Sequence, residues 1–481
     1  MKTIGSYGAA RRPSIPLWIL IASILVLVAI WMVAVSLGDD LIRQLSRVSA
    51  SVASYRRNPG LILGLGFVVC TLCLVFAYAL LAARPAMFMA LWLMALALGD
   101  ARLGIIQQGG LLLRYSMMLM LVILGVRVLL RGGSKVGGRW LVGLFLAYTG
   151  IQWAHLLIDG PTIPSLAILP IQLALAVGVM FGVRDLMMSD DFILRLGRAL
   201  AYAGIAMTVI ACLSLVGAEQ PFLAGRFRSW HALPTGFATG YVCFLIPLIW
   251  VSWSGGDRLL RLCSVIAACV GVVLIVLSGT RNALLCALLS TFVMLVFWRR
   301  RLIFPLMLAA LVLLLLASAM DQGAAVFGGA GQRIVSGEQT RFGVWGISWD
   351  FIQQKTLWGY GLVPDLQVFN IRRNEIQIVD AHSSYLGTWL RLGIVGLLIV
   401  VAINLLALVQ AASIWSRISR WREGANVLML LACLLLTVIV GGVFEDNLSG
   451  RGNVQQAVWA IAIAGITALH ARVSRGRGVV A

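Results

Sequence analysis

The sequence predicts an all-α, polytopic integral membrane protein with about 12–14 transmembrane helices and one large loop containing short helices. Three observations predict it. Of 481 residues, 61% are hydrophobic and only 12% charged. Apolar runs near 20 residues recur from one end to the other, each long enough to cross the roughly 30 Å hydrocarbon layer. The charges gather between these runs. A backbone in lipid must satisfy its own hydrogen bonds, so the runs are read as helices. The formal charge of +20 does not point to nucleic acid, because the arginines are spread over many run ends instead of forming one basic domain.

In chain order the candidate spans are 16–37, 60–82, 85–98, 111–130, 140–158, 165–185, 197–217, 234–253, 259–278, 281–298, 302–320, 386–410, 425–444 and 453–471. The run 85–98 is short and 38–60 is ambiguous, so twelve spans fit as well as fourteen. Lys2, Arg11 and Arg12 precede the first run, which is long enough to be an uncleaved span in place of a signal peptide. The arginines set a direction. Arg131, Lys135 and Arg139, then Arg195 and Arg198, Arg258 and Arg261, Arg299 to Arg301, Arg417, Arg420 and Arg422, and Arg472, Arg475 and Arg477 all fall on one side by parity. The positive-inside rule makes that side cytoplasmic, with both termini. Residues 38–60, with Arg43, Arg47, Arg56 and Arg57, break the pattern. Their apolar residues Leu41, Leu45 and Val48 repeat at helical spacing, as an interfacial helix would.

The outer loops are then 99–110, 159–164, 218–233, the turn 278–281, 321–385 and 445–452. The chain divides into a bundle of about eleven spans (1–320), a large outer loop (321–385) and a C-terminal helical part with a cytoplasmic tail (386–481). Inside the large loop Ser336-Gly-Glu-Gln339 fits a capping box. Phe342, Trp345, Trp349 and Ile352 follow on one helical face, and Trp358-Gly-Tyr-Gly361 ends that helix in a turn. The eight cysteines lie in or beside apolar runs, and Cys70-x-x-Cys73 has no His or carboxylate company, so neither a disulfide nor a metal site is expected.

The residues that can carry chemistry gather on the outer side. His382 stands where the large loop runs into a span, wet enough to exchange protons and close to the bilayer. A histidine there suits a general base acting on a hydroxyl near neutral pH. Arg226, Arg228, Arg281, Arg341 and Arg451 share that side, and Arg391 lies two turns into the next span, where an arginine is costly and suggests function. Guanidinium groups fork onto phosphate oxygens. Tyr385 is placed to shape the pocket and Asp380 to orient His382; His231 is a lesser candidate in the Arg226 loop. The outer face has no Asp-x-Asp pair, so no metal and no cofactor is called for, with arginines in the place of a divalent ion.

The C-terminal half resembles the O-antigen ligase/polymerase superfamily. The resemblance rests on His382-Ser-Ser-Tyr385-Leu followed by Gly393-x-x-Gly396-Leu, on Ser278-Gly-Thr-Arg281, on Arg341-x-x-x-Trp345 with Gly359-Tyr-Gly361, and on Gly225-Arg226-Phe-Arg228 before Pro234-Thr. Ser383 departs from the family pattern, in which Asn is commoner. The resemblance implies a bacterial inner-membrane glycosyltransferase with a periplasmic active site. It would transfer polysaccharide from an undecaprenyl pyrophosphate-linked O-antigen donor to a lipid A-core acceptor, without metal. His382 would be the base, and Arg281 and Arg341, with Arg226, Arg228 and Arg391, the pyrophosphate ligands. An O-antigen polymerase or an O-linked oligosaccharyltransferase uses the same parts. A lipid-linked anion transporter or flippase is the reading from a different class; it wants charges at mid-bilayer on a path to both faces.

Overall fold

The computed structural model describes residues 59–99, 101, 104–131, 139–158, 168–217, 221–223, 226–230, 232–254, 257–298, 340–362, 366–370, 375–379, 381–418, 422–446, 448 and 453–474. The expected spans 16–37 and 302–320, the interfacial helix before residue 59, the capping box at Ser336, His231, Arg451 and Asp380 lie outside them.

The helices are α1 (Pro59–Ala83), α2 (Pro85–Leu98), α3 (Gly104–Leu130), α4 (Arg139–Ile158), α5 (Ile168–Leu186, wound as a π-helix over Ala174–Val183), α6 (Asp190–Gly217), α7 (Pro234–Ser254), α8 (Arg258–Leu277), α9 (Arg281–Trp298), α10 (Thr340–Gln354), α11 (Ser384–Ile418), α12 (Arg422–Phe444) and α13 (Val454–Ser474). Twelve of the fourteen apolar runs fall on them, and α10 is the helix read from the loop aromatics. Among the described residues nine helices are long and apolar enough to cross a membrane, while Val68–Ala83, Pro85–Leu98 and Arg281–Val296 are shorter apolar helices. The chain is therefore a mostly helical polytopic membrane protein. The periodicity reading missed two antiparallel hairpins. One pairs β1 (Phe222–Leu223) with β2 (Arg226–Phe227). The other pairs β3 (Leu366–Asn370) with β4 (Glu375–Val379), Leu366 opposite Val379 and Asn370 opposite Glu375. Both lie in loops between the apolar helices, where strands escape the demand that lipid makes on backbone.

Proline opens three of these helices, at Pro59, Pro85 and Pro234, where its missing N–H costs no hydrogen bond. Asp257 caps α8 by accepting from the Leu259 amide at 3.2 Å. Between helices in lipid, packing and hydrogen bonds replace the hydrophobic effect as the force of association. The closest approach is α3 on α5: a Cβ at Gly125 would stand 2.1 Å from the Val177 carbonyl oxygen, so that face needs glycine. The last helix is the most enclosed. α13 is buried from Val454 to Leu469 and packs on α2, α5, α7, α11 and α12. Its Trp459, fully buried, donates to Asn404 Oδ1 at 2.8 Å and so ties α13 to the middle of α11.

α11 is broken. Gly393 has φ 69° and ψ −175°, a conformation open only to glycine. The stretch after it, roughly 25 residues and about 37 Å at 1.5 Å per residue, crosses a bilayer by itself. The nine or so residues before the break form a separate short helix (roughly two and a half turns) that starts just after His382.

Candidate functional site

The C-terminal end of α12 and the residues after it, Gly441 to Asp446, form a hub on which the elements carrying Arg281, Arg341 and His382 meet. Asn282, next to Arg281, donates to the Gly441 carbonyl at 3.0 Å. Ser383, next to His382, reaches the Gly442 carbonyl at 3.5 Å. Two neighbouring carbonyls of one helix thus fix the starts of α9 and α11 beside each other. The third element is α10: Trp345, one turn after Arg341, stacks on Phe444 with ring centroids 6.3 Å apart. Arg341 sits in the first turn of that helix.

His382 is exposed and has φ 43°, the single positive φ outside glycine among the described residues. A strained backbone of this kind persists only where its surroundings hold it. The next three residues do so. Ser383 receives the Leu386 amide at 3.5 Å, which makes it the cap of the short helix. Ser384 donates to the Glu445 carbonyl at 2.8 Å and accepts from the Leu448 amide at 3.1 Å. Tyr385 donates to the Ile439 carbonyl at 3.1 Å and receives the Asn404 amide at 3.4 Å. Serine at 383 therefore works through its hydroxyl, as a cap and an anchor, where the commoner Asn would bring an amide.

The arginines differ in surroundings. Arg281 is exposed at the first position of α9, beside the free amides of a helix start, a place favourable to anions. Arg226 is drawn into structure. Its Nε donates to the Ser278 carbonyl at 2.7 Å, and its Nη2 to Thr280 and Thr235 at 3.1 and 3.2 Å. It clamps the turn before Arg281 to the start of α7. Phe227, next in β2, is fully buried and meets Phe237 edge-on at 5.1 Å, which anchors the arginine loop. Arg228 is half-buried on the same loop. Arg391 is buried: its Nη1 donates to Asp446 at 2.7 Å, with side-chain exposures of 5% and 4%. Asp446 lies in the loop 445–452 and belongs to none of the motifs read from the sequence. An arginine inside a span next to few outer carboxylates was the signal that could have paired them.

Two of the motifs lock together. The amides of Tyr360 and Gly361 donate to the carbonyls of Leu390 and Arg391, each at 2.9 Å, and the Ile394 amide donates to the Thr356 carbonyl at 2.9 Å. These are the groups that the break at Gly393 leaves without helical partners, and where buried they must be met by protein. The Gly359-Tyr-Gly361 turn is thus the plug of the broken helix. Trp389 adds a bond from Nε1 to the Thr356 carbonyl at 3.2 Å and meets Trp349 of α10 edge-on at 5.2 Å. His155, at the same end of α4, meets Trp358 in a tilted ring contact with centroids 4.4 Å apart. The opposite end of the bundle is marked by Trp250 on the Asn426 carbonyl at 2.9 Å, and His470 lies there near Arg417, far from this cluster in the fold. Among the described residues no group of three or more His, Cys, Asp or Glu is placed to hold a metal ion.

Residues 265–401 match the family model of the O-antigen ligases. The matched segment begins in α8 and ends just past the break in α11, so it holds Arg281, Arg341, His382 and Arg391, together with both halves of the glycine lock. The hub itself, at the end of α12, lies outside the matched segment, as does Arg226. No curated protein matches the chain.

Proposed function

We propose that the protein is an O-antigen ligase of the bacterial inner membrane, with its active site on the periplasmic face. The observation that carries this reading is the convergence of Arg281, the Arg341 helix and the strained, exposed His382 turn on one end of α12, within or against the ligase-family segment. The imidazole of His382 takes the proton of an acceptor sugar hydroxyl on lipid A-core. The freed oxygen forms a bond to the anomeric carbon of the glycan as that carbon's bond to pyrophosphate breaks. The electron pair leaves with undecaprenyl pyrophosphate, and back-side attack inverts the centre. Arg281 and Arg341, with Arg228 from the adjacent loop, bind the pyrophosphate and meet the charge it gains on leaving. Arg226 serves them by fixing the turn before Arg281. The sugar–pyrophosphate bond already holds the required free energy, so ATP is not needed. The gathering of these groups at one end favours the enzyme over a transporter, whose charges line a path to both faces.

The test is transfer by purified protein from a lipid-linked glycan to lipid A-core in the presence of EDTA. Turnover is expected undiminished by the chelator, because arginines take the place of a metal on the diphosphate. Loss in EDTA with recovery on adding magnesium or manganese would refute the arginine clamp. Transfer onto the growing lipid-linked glycan, or onto a protein hydroxyl, in place of lipid A-core would make the protein a polymerase or an oligosaccharyltransferase. A second prediction concerns direction. Leu357 is 74% exposed beside the plug turn. A cysteine placed there in a cysteine-free background is expected to react with a membrane-impermeant maleimide added from the periplasm. Reaction from the cytoplasm alone would end the proposed orientation.

A further inference from the structure

The Arg391–Asp446 pair is buried at the heart of the bundle's outward end, and its surroundings are polar in an unusual way. The Tyr148 hydroxyl of α4 has Asp446, Thr388, Arg391 and Gln152 as its polar neighbours, and donates to the Leu448 carbonyl at 2.6 Å. Gln456 of α13 reaches the same carbonyl at 3.3 Å. Thr388 Oγ1 and the amide of Gln152 are served by nothing beyond the Tyr148 hydroxyl, and Asp446 Oδ1 meets no hydrogen-bond partner in the protein. Gln152 is fully buried, and Thr388 with it. Buried polar atoms are almost always satisfied. Unmet hydrogen-bonding capacity grouped around one hydroxyl and one carboxylate suits water, which needs two to four polar partners. Packing leaves no room for a larger guest on one side, where a Cβ at Gly387 would stand 3.0 Å from the Asp446 carboxylate.

A buried ion pair is weak evidence for stability, since desolvation costs about what the attraction returns. Its geometry points elsewhere. Arg391 belongs to the short helix between His382 and the break, and its own carbonyl is held by the plug turn. Asp446 belongs to the segment whose Glu445 and Leu448 hold Ser384, two residues after His382. The pair therefore braces both ends of the element that carries His382.

We propose that the Arg391–Asp446 pair, hydrated by water lodged between Tyr148, Gln152 and Thr388, is a positioning device that sets the His382 turn for proton transfer. The inference rests on the reading of His382 as the base. Asp446 is then a positioning residue and touches no substrate.

The test compares Asp446→Asn, Arg391→Gln and their combination, each with His382 intact and with His382→Ala, at equal amounts of monodisperse protein. Donor binding and single-turnover transfer at saturating donor are measured. Asp446→Asn is expected to lower the transfer rate about 10²-fold, the cost of a misplacement near 1 Å, with donor binding unchanged. The combined variant should lose no more than either single one, because the two act as a unit. In the His382→Ala background Asp446→Asn should leave the residual rate unchanged, which a merely structural loss would not do. Wild-type transfer by Asp446→Asn, or an equal loss in both backgrounds, would overturn the proposal. Should single variants fail to fold, Arg391→Met with Asp446→Leu removes both charges together and gives the same readouts. Unimpaired transfer by His382→Ala would sink the base assignment and this inference with it; an inactive His382→Ala beside a fully active Asp446→Asn would sink this inference alone. The water has its own readout in radiolytic footprinting. Tyr148, 1% exposed, should be oxidised alongside the 48% exposed Tyr202, and an unlabelled Tyr148 would remove water from the proposal.

Discussion

His382→Ala is expected to lower the rate of glycan transfer roughly 10²–10⁴-fold while donor binding stays close to wild type. A base acts on the acceptor hydroxyl in the transition state and has little to do with holding the donor. Removing an exposed side chain also leaves the fold intact: Ser383, Ser384 and Tyr385 supply the anchors of the turn, and alanine adds no bulk. Arg281→Ala and Arg341→Ala should behave differently. A guanidinium on pyrophosphate meets charge in the ground state and more charge as the leaving group departs, so both donor binding and rate should fall. Lysine at either position should rescue only in part, because a point charge does not replace a planar fork. The paired measurement is binding of the lipid-linked donor and single-turnover transfer for each variant. Near wild-type transfer by His382→Ala would move the base elsewhere, with His231 the next candidate. Normal binding and transfer by both arginine variants would make these arginines membrane anchors and favour the transporter.

Gly393→Ala should destabilise the protein by about 4 kcal/mol or more, enough to empty the folded fraction in detergent. Two costs add. The φ of 69° with extended ψ is closed to a residue with Cβ, at about 1–3 kcal/mol. The new Cβ would also stand 1.9 Å from the Leu357 carbonyl oxygen and 2.8 Å from the Trp358 amide, backbone atoms that can move only if the plug turn leaves. Its departure would orphan the carbonyls of Leu390 and Arg391 and the amide of Ile394, each at about 1–3 kcal/mol when buried. Gly346→Ala on α10 is the control. Nothing lies within 4 Å of its Cβ, and alanine favours a helix, so this variant should be as stable as wild type or slightly more so. Thermal unfolding followed by size-exclusion of the detergent-solubilised protein reads both. A Gly393→Ala protein that melts with the wild type would show that the break is not held by the plug.

The amino-acid sequence by itself determined the spans that fall among the described residues and the helix at Thr340–Gln354. Those signals are local: a run of apolar residues crosses lipid wherever it is placed, and Phe342, Trp345, Trp349 and Ile352 share a face through helical geometry alone. The exposed place of His382 at a helix start was legible because a polar loop meets an apolar run there. The tertiary structure alone decided what each arginine touches. Arg226 and Arg391 read like Arg281 in composition and side, yet one clamps a turn and the other is buried against Asp446. It also decided that Gly359-Tyr-Gly361 fills the gap opened by Gly393, and that the hub is the end of α12. These pairings join residues that are some tens to hundreds of positions apart. A broken helix or a buried charge states in sequence that it needs a partner, but its geometry in space selects which one.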